Sequence, residues 1–175
     1  DPIMKEDPLK VRMGLNSGYV ILCDIGAAKA RVDLTMIGDA VNIAARLETA
    51  CSQYFIDNLV SDSVAKDAKD QFSIRIIDRI KVYGKDTPVA VYEIINEVEN
   101  TSQKENDLIM HFEKGFEAYT KGKFSAGLKH FQKSKSLEID RGYPSTPSDV
   151  YISRCEMLEK SPPENWDGTW VLESK

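Results

Sequence analysis

The 175-residue sequence predicts an α+β domain followed by a small all-helical tail, and three observations carry that expectation. Up to about residue 98, short runs of two-residue alternation are interleaved with helix-period stretches. Beyond about residue 106 only the helical period remains. Between them, residues 99–106 are polar and nearly free of apolar side chains, which is the composition of a linker. The expected organisation is therefore a sheet domain over 1–98, a linker over 99–106, a helical domain over 107–160 and an aromatic tail over 161–175.

Val11, Met13 and Leu15 alternate with polar or small residues, as a half-buried strand requires. Asn16-Ser17-Gly18 supplies a turn, and Tyr19 to Cys23 reads as a second strand, so the two are expected to form a hairpin. Gly38 breaks the extended piece that precedes it, and Asp39 is a suitable N-cap for a helix reaching about Cys51. Ala40, Ile43, Ala44, Leu47 and Cys51 form one apolar stripe on that helix, and Asn42 and Arg46 fall on the opposite side. Strands are expected over 54–60, 72–82 and 88–95, with a short helix begun by Ser61-Asp62-Ser63 and a Gly84-Lys85-Asp86 turn before the last strand. In the tail, Phe112, Gly115, Phe116 and Tyr119 mark one helix and Phe124, Leu128 and Phe131 a second, separated at Gly122. A third is expected from about Asp149 to Lys160.

Composition narrows the function classes. The net charge of −5 contains no basic excess, which argues against a nucleic-acid partner; a nucleotide would have to be held by a few placed cations. The longest apolar run, Tyr19 to Cys23, is too short to span a bilayer. Three widely spaced cysteines, Cys23, Cys51 and Cys155, argue against a disulfide framework or a zinc site and for a reducing, cytoplasmic setting. The chain opens on Asp1-Pro2 without Met or a signal peptide, and it reads as a piece of something longer.

An Asn and an Arg on one outer helix face ordinarily mean a solvated surface. Their context here is distinctive. The stretch Thr35 to Glu48, with Gly38-Asp39, Val41-Asn42 and Arg46, resembles the signature of class III adenylyl and guanylyl cyclases. Gly14-Leu15-Asn16-Ser17-Gly18 resembles that family's glycine hairpin, and Lys81 to Lys85 followed by Pro88 to Tyr92 resembles its terminal hairpin. The resemblance spans residues ~10–96 in the family's order.

The resemblance implies a partial ferredoxin-like sheet and a homodimer that converts ATP to cyclic AMP and pyrophosphate, by attack of the ribose 3′-hydroxyl on the α-phosphate. It implies catalytic roles for Arg46, beside the α-phosphate, and Asn42, on the ribose. Thr35 takes the base-selecting position, while Lys81 and Lys85 are the cations for the triphosphate, Tyr83 standing where many members have the first lysine of a Lys-Gly-Lys turn. Two Mg2+ or Mn2+ ions are implied for the parent enzyme. Their aspartate ligands are expected upstream of this chain, Asp24, Asp33 and Asp39 do not match them, and the fragment alone is expected to be inactive. A guanylyl cyclase and a non-catalytic nucleotide-binding or dimerising regulator are the alternatives. The tail resembles a single tetratricopeptide unit through Gly115, Gly122, Phe124, Gly127, Phe131 and Ser134. A lone repeat needs a partner surface, which could be the third helix, the sheet domain or the same helices of another subunit; the tail is also a candidate site for a protein partner.

Overall fold

The structure, a computed structural model, describes residues 9–26, 32–80 and 88–170. Six strands and five α-helices follow in the order β1 Met13–Leu15, β2 Ile21–Gly26, β3 Val32–Ile37, α1 Asp39–Tyr54, β4 Asn58–Ser61, α2 Asp62–Ala68, β5 Phe72–Ile80, β6 Val89–Glu97, α3 Gln103–Thr120, α4 Phe124–Lys135 and α5 Pro147–Lys160. The main sheet has the order β1-β4-β6-β5, with β1 parallel to β4 and the other pairs antiparallel. β2 and β3 form a separate antiparallel ribbon with Cys23 opposite Thr35.

The expected hairpin between the first two strands does not form. The Asn16-Ser17-Gly18 turn instead carries the chain beneath the start of α1. The Asn16 side-chain amide donates to the Ala40 carbonyl at 3.1 Å, and a methyl on Gly18 would stand 2.8 Å from Ala40 Cβ. β1 is thereby left to pair with β4, and β2 leaves the sheet. Gly14 has a stricter task, because a Cβ there would lie 2.0 Å from the Ala44 carbonyl oxygen and 2.4 Å from the Glu48 nitrogen. The backbone of α1 rests directly on the backbone of β1, and only glycine leaves room for it.

Two helix boundaries also differ from expectation. Gly38, not Asp39, is the N-cap of α1; Asp39 begins the first turn, where its charge faces the positive end of the helix dipole. At the other end the helix continues to Tyr54 and stops in left-handed Phe55, φ 59°. Tyr54, Cys51, Ala50 and Leu47 continue the buried stripe, so the expected strand over 54–60 shrinks to Asn58–Ser61.

The expected linker is also shorter. A 3-10 turn covers Val98–Asn100, and α3 starts at Gln103 behind a capping box made by Ser102 and Glu105. Thr146 and Asp149 build the same device for α5, with Pro147 in its first turn. Each cap contributes about 1 kcal/mol.

The helical segment and the sheet share one core. Phe112, Phe116, Phe131 and Tyr151 belong to the same buried cluster as Tyr54, Leu59 and Ile77. Gly115 and Gly127 let α3 and α4 approach: a methyl on Gly115 would press the Phe131 ring at 2.9 Å, and one on Gly127 would meet the Gly115 carbonyl at 3.2 Å. The surface against which this helical unit packs is the face of β5. The Trp166 indole donates to the Tyr119 carbonyl at 2.9 Å and Trp170 covers Arg154, so both tryptophans anchor the tail.

Candidate functional site

The site residues expected from sequence lie around α1 and the strand that leads into it. Thr35 is half-buried at the middle of β3, three residues before Gly38 turns the chain into the helix. Asn42 and Arg46 are both exposed, one helical turn apart on the same face of α1. The opposite face is driven inward by Leu47, Ala50, Cys51 and Tyr54. Amphipathic spacing therefore sets where the two polar side chains point: burying the stripe obliges them to face outward. Lys81 and Lys85 lie outside the described residues.

The C-terminal half of α1 is more deeply buried than its start. Ala40, Ile43 and Ala44 are only half-buried, and no side chain caps the helix at Gly38. Cys51 is fully buried, its Sγ 3.3 Å from the Leu47 carbonyl and 3.5 Å from the Met13 carbonyl. Burial, with the Glu48 carboxylate nearby, pushes this thiol up to about 12, so it stays protonated and serves as packing. Glu48 is engaged by Arg12 at 3.0 Å.

A cavity of about 420 Å³ opens at the start of α1, bordered by Asn16, Tyr19, Asp39, Ile43, Asp62 and Ser63 among others. Two carboxylates on its rim oppose a phosphate ligand. Its α1 residues are Asp39, Ala40 and Ile43, so neither Asn42 nor Arg46 reaches it. The Asn42 amide and the Arg46 guanidinium lie on the outward face of α1, outside this cavity.

Among the described residues no three His, Cys, Asp or Glu side chains converge as a metal site. They do not fit a divalent-cation centre by themselves.

Sequence reasoning missed a second layer behind α1. The Tyr54 hydroxyl donates to Asp78 Oδ2 at 2.5 Å, and Arg154 Nη1 donates to the same oxygen at 2.8 Å. These residues come from α1, β5 and α5. The only local signal is a carboxylate, Asp78, inside a stretch that otherwise reads as a strand.

Residues 2–96 match the family described as the Adenylate and Guanylate cyclase catalytic domain, just over half of the chain. The chain belongs to that family. The adenylate cyclase of Anabaena cylindrica is 38% identical over 89 residues, covering 49% of this chain and 18% of that protein. The terminal-differentiation specific adenylate cyclase of Dictyostelium discoideum is 28% identical over 148 residues, covering 82% of this chain and 7% of that protein. Against the crystal structure of the adenylyl cyclase CyaB from P. aeruginosa, the identity is 31% and the TM-score 0.46, covering 58% of this chain and 50% of that one. This cyclase-family chain thus spans less than a fifth of the length of these two curated relatives. No described helix is long and apolar enough to cross a membrane.

Proposed function

We propose that this chain supplies the ribose-orienting and charge-stabilising part of an adenylyl cyclase active site. The observation that carries the reading is the exposed Asn42–Arg46 pair on one face of α1, within the segment that matches the cyclase family. In the reaction, the ribose 3′-oxygen bonds to the α-phosphorus of ATP and the bond from that phosphorus to the β-bridging oxygen breaks. Pyrophosphate leaves with the electron pair, and the hydroxyl proton is released. Negative charge grows on the α-phosphate oxygens as this happens.

Arg46 meets that charge. Its planar, permanently ionised guanidinium presents paired N–H donors to phosphate oxygens, and such donors act most strongly where charge develops. Asn42 carries both a donor and an acceptor and orients the ribose. Thr35, on β3, faces the base; its hydroxyl can donate or accept, and ATP is favoured over GTP because the two relatives described above are named adenylate cyclases. Lys81 and Lys85 are assigned to the triphosphate by family resemblance.

A homodimer fits the surface. The β2–β3 ribbon is apolar on both faces, with Ile21, Ile25 and Ile37 on one and Leu22, Leu34 and Met36 on the other, all exposed. A two-stranded ribbon of this kind is not stable alone in water and calls for a cover.

The test is Arg46→Ala in the complete enzyme. Turnover of ATP to cyclic AMP should fall by roughly 100-fold or more, as for other removed transition-state donors, with the melting temperature unchanged. Turnover like that of the unmodified enzyme would overturn the assignment.

A further inference from the structure

α5 reaches the back of the helix that bears Asn42 and Arg46 through Arg154, which meets both the Asp78 carboxylate and the Tyr54 ring. β5 loses its register with β6 between Ile76 and Asp78, leaving Ile77 as an extra residue. Such a bulge bends the strand and re-aims the side chains beside it. Two consequences follow at this bulge. The Ile77 carbonyl accepts from the Tyr151 hydroxyl of α5 at 2.7 Å. Asp78 is fully buried and its Oδ2 receives both the Tyr54 hydroxyl of α1 and Arg154 Nη1 of α5, while its Oδ1 receives the Arg79 backbone N–H at 2.6 Å.

Arg154 is itself enclosed. Its guanidinium carbon lies 4.8 Å from the Trp170 ring centre, 5.0 Å from Tyr151 and 5.5 Å from Tyr54. The aromatic rings and the carboxylate together hold the guanidinium at this position. A buried carboxylate is costly unless it is paired and hydrogen-bonded, and Arg154 meets that requirement from the helical segment.

We infer that Tyr54, Asp78 and Arg154 are positioning residues through which the helical segment sets the pose of α1, and with it Asn42 and Arg46. The inference rests on the adenylyl cyclase reading of that helix. Tyr54 closes the buried stripe of α1 about 12 Å along the axis from Arg46, at 1.5 Å per residue. The start of α1 is held by Asn16, which donates to the Ala40 carbonyl, and by the backbone at Ala44 resting on Gly14; the Tyr54–Asp78–Arg154 contact fixes the other end of the same helix. A rigid helix transmits that setting to its outward face.

The experiment uses the complete enzyme carrying Tyr54→Phe, Arg154→Lys and Arg154→Met, with Arg46→Ala as a reference. Tyr54→Phe removes one hydroxyl and keeps the ring. It should lower kcat about 10-fold with KM unchanged, because small misplacement of reacting groups is enough to do so. Amide hydrogen exchange should quicken across residues 39–48, measured on the same sample. Arg154→Lys should recover part of the kcat that Arg154→Met loses, and the Tyr54 and Arg154 effects should be non-additive because they share Asp78. If Arg154→Met does not fold, the other two variants still decide.

A lowered melting temperature with kcat per folded molecule and exchange in 39–48 both unchanged would overturn the inference, since Tyr54 and Arg154 would then serve stability alone. A silent Arg46→Ala would instead overturn the catalytic reading of α1. Exchange over 39–48 would still report whether the brace exists.

Discussion

The β2–β3 ribbon and the core between β5 and the tail helices are built from similar residues and end in opposite states. In the ribbon, Leu22 is 61% exposed and its cross-strand neighbour Met36 is 56% exposed. At the centre of the second region, Phe131 and Tyr151 are both at 0% and stack with ring centres 4.8 Å apart. Apolar content therefore does not separate the two. What separates them is the number of layers: the ribbon has no second layer among the described residues, whereas β5 is covered by α3 and α5, with α4 packed on both helices.

The closed region is also held by charge. Arg75 is fully buried; its Nε donates to Glu93 at 2.8 Å, and its two terminal nitrogens each donate to Glu138 at 3.0 Å. Arg141 Nη2 sits 2.6 Å from the other Glu93 oxygen. Arg75, Arg141, Glu93 and Glu138 thus form one ion-pair cluster across β5, β6 and the α4–α5 connection, with Asp57 at its edge 3.6 Å from Arg141 Nε. Arg75→Met leaves Glu93 and Glu138 short of a partner in a dry interior, and should cost about 3–5 kcal/mol in chemical denaturation. A loss under about 1 kcal/mol would mean the pair is solvated and the region is less closed than its burial indicates.

The ribbon should answer differently. Leu22→Ser with Met36→Ser should change unfolding stability by no more than about 0.5 kcal/mol, as for exposed positions, while weakening self-association in sedimentation. A destabilisation of core size would show that the ribbon is covered within its own chain.

The smallest expected effect lies between α3 and α4. His111 and His130 face each other with Nδ1 atoms 3.4 Å apart. Burial, then the His111 ring and the Lys114 and Lys133 ammonium groups, hold the His130 imidazole below its usual 6.5. The fold therefore favours neutral His130. That contribution is complete above 6.5 and is lost as pH falls through the lower folded value. The melting temperature should decline modestly on acidification from about pH 7 to 5, and His130→Gln should flatten part of that decline. An identical slope in the variant would remove His130 from the account.

Much of this contrast can be traced to what local sequence encodes. The stripe from Ala40 to Cys51 announces α1 and places Asn42 and Arg46 outside, because amphipathic spacing is a local property. Gly14 announces a close approach, though not that the approaching group is the backbone at Ala44. The parallel pairing of β1 with β4 joins residues about 45 apart and leaves no local mark. Nor does the contact of Arg154 with Asp78, separated by 76 positions. Phe55 ends α1 in a left-handed conformation that a bulky residue rarely adopts, so local sequence does not mark the helix end. The shared core was hidden for a related reason: polar residues 99–106 resemble a linker, yet several of them serve as caps and turns.

The central claim is that the exposed face of α1 performs chemistry while the closed region holds that helix in place. The most direct measurement sets turnover of ATP to cyclic AMP beside melting temperature for Arg46→Ala and Arg75→Met in the complete enzyme. Arg46→Ala should lose roughly 100-fold or more in turnover with its melting temperature intact, and Arg75→Met should lose melting temperature first. Full turnover in Arg46→Ala would contradict the account.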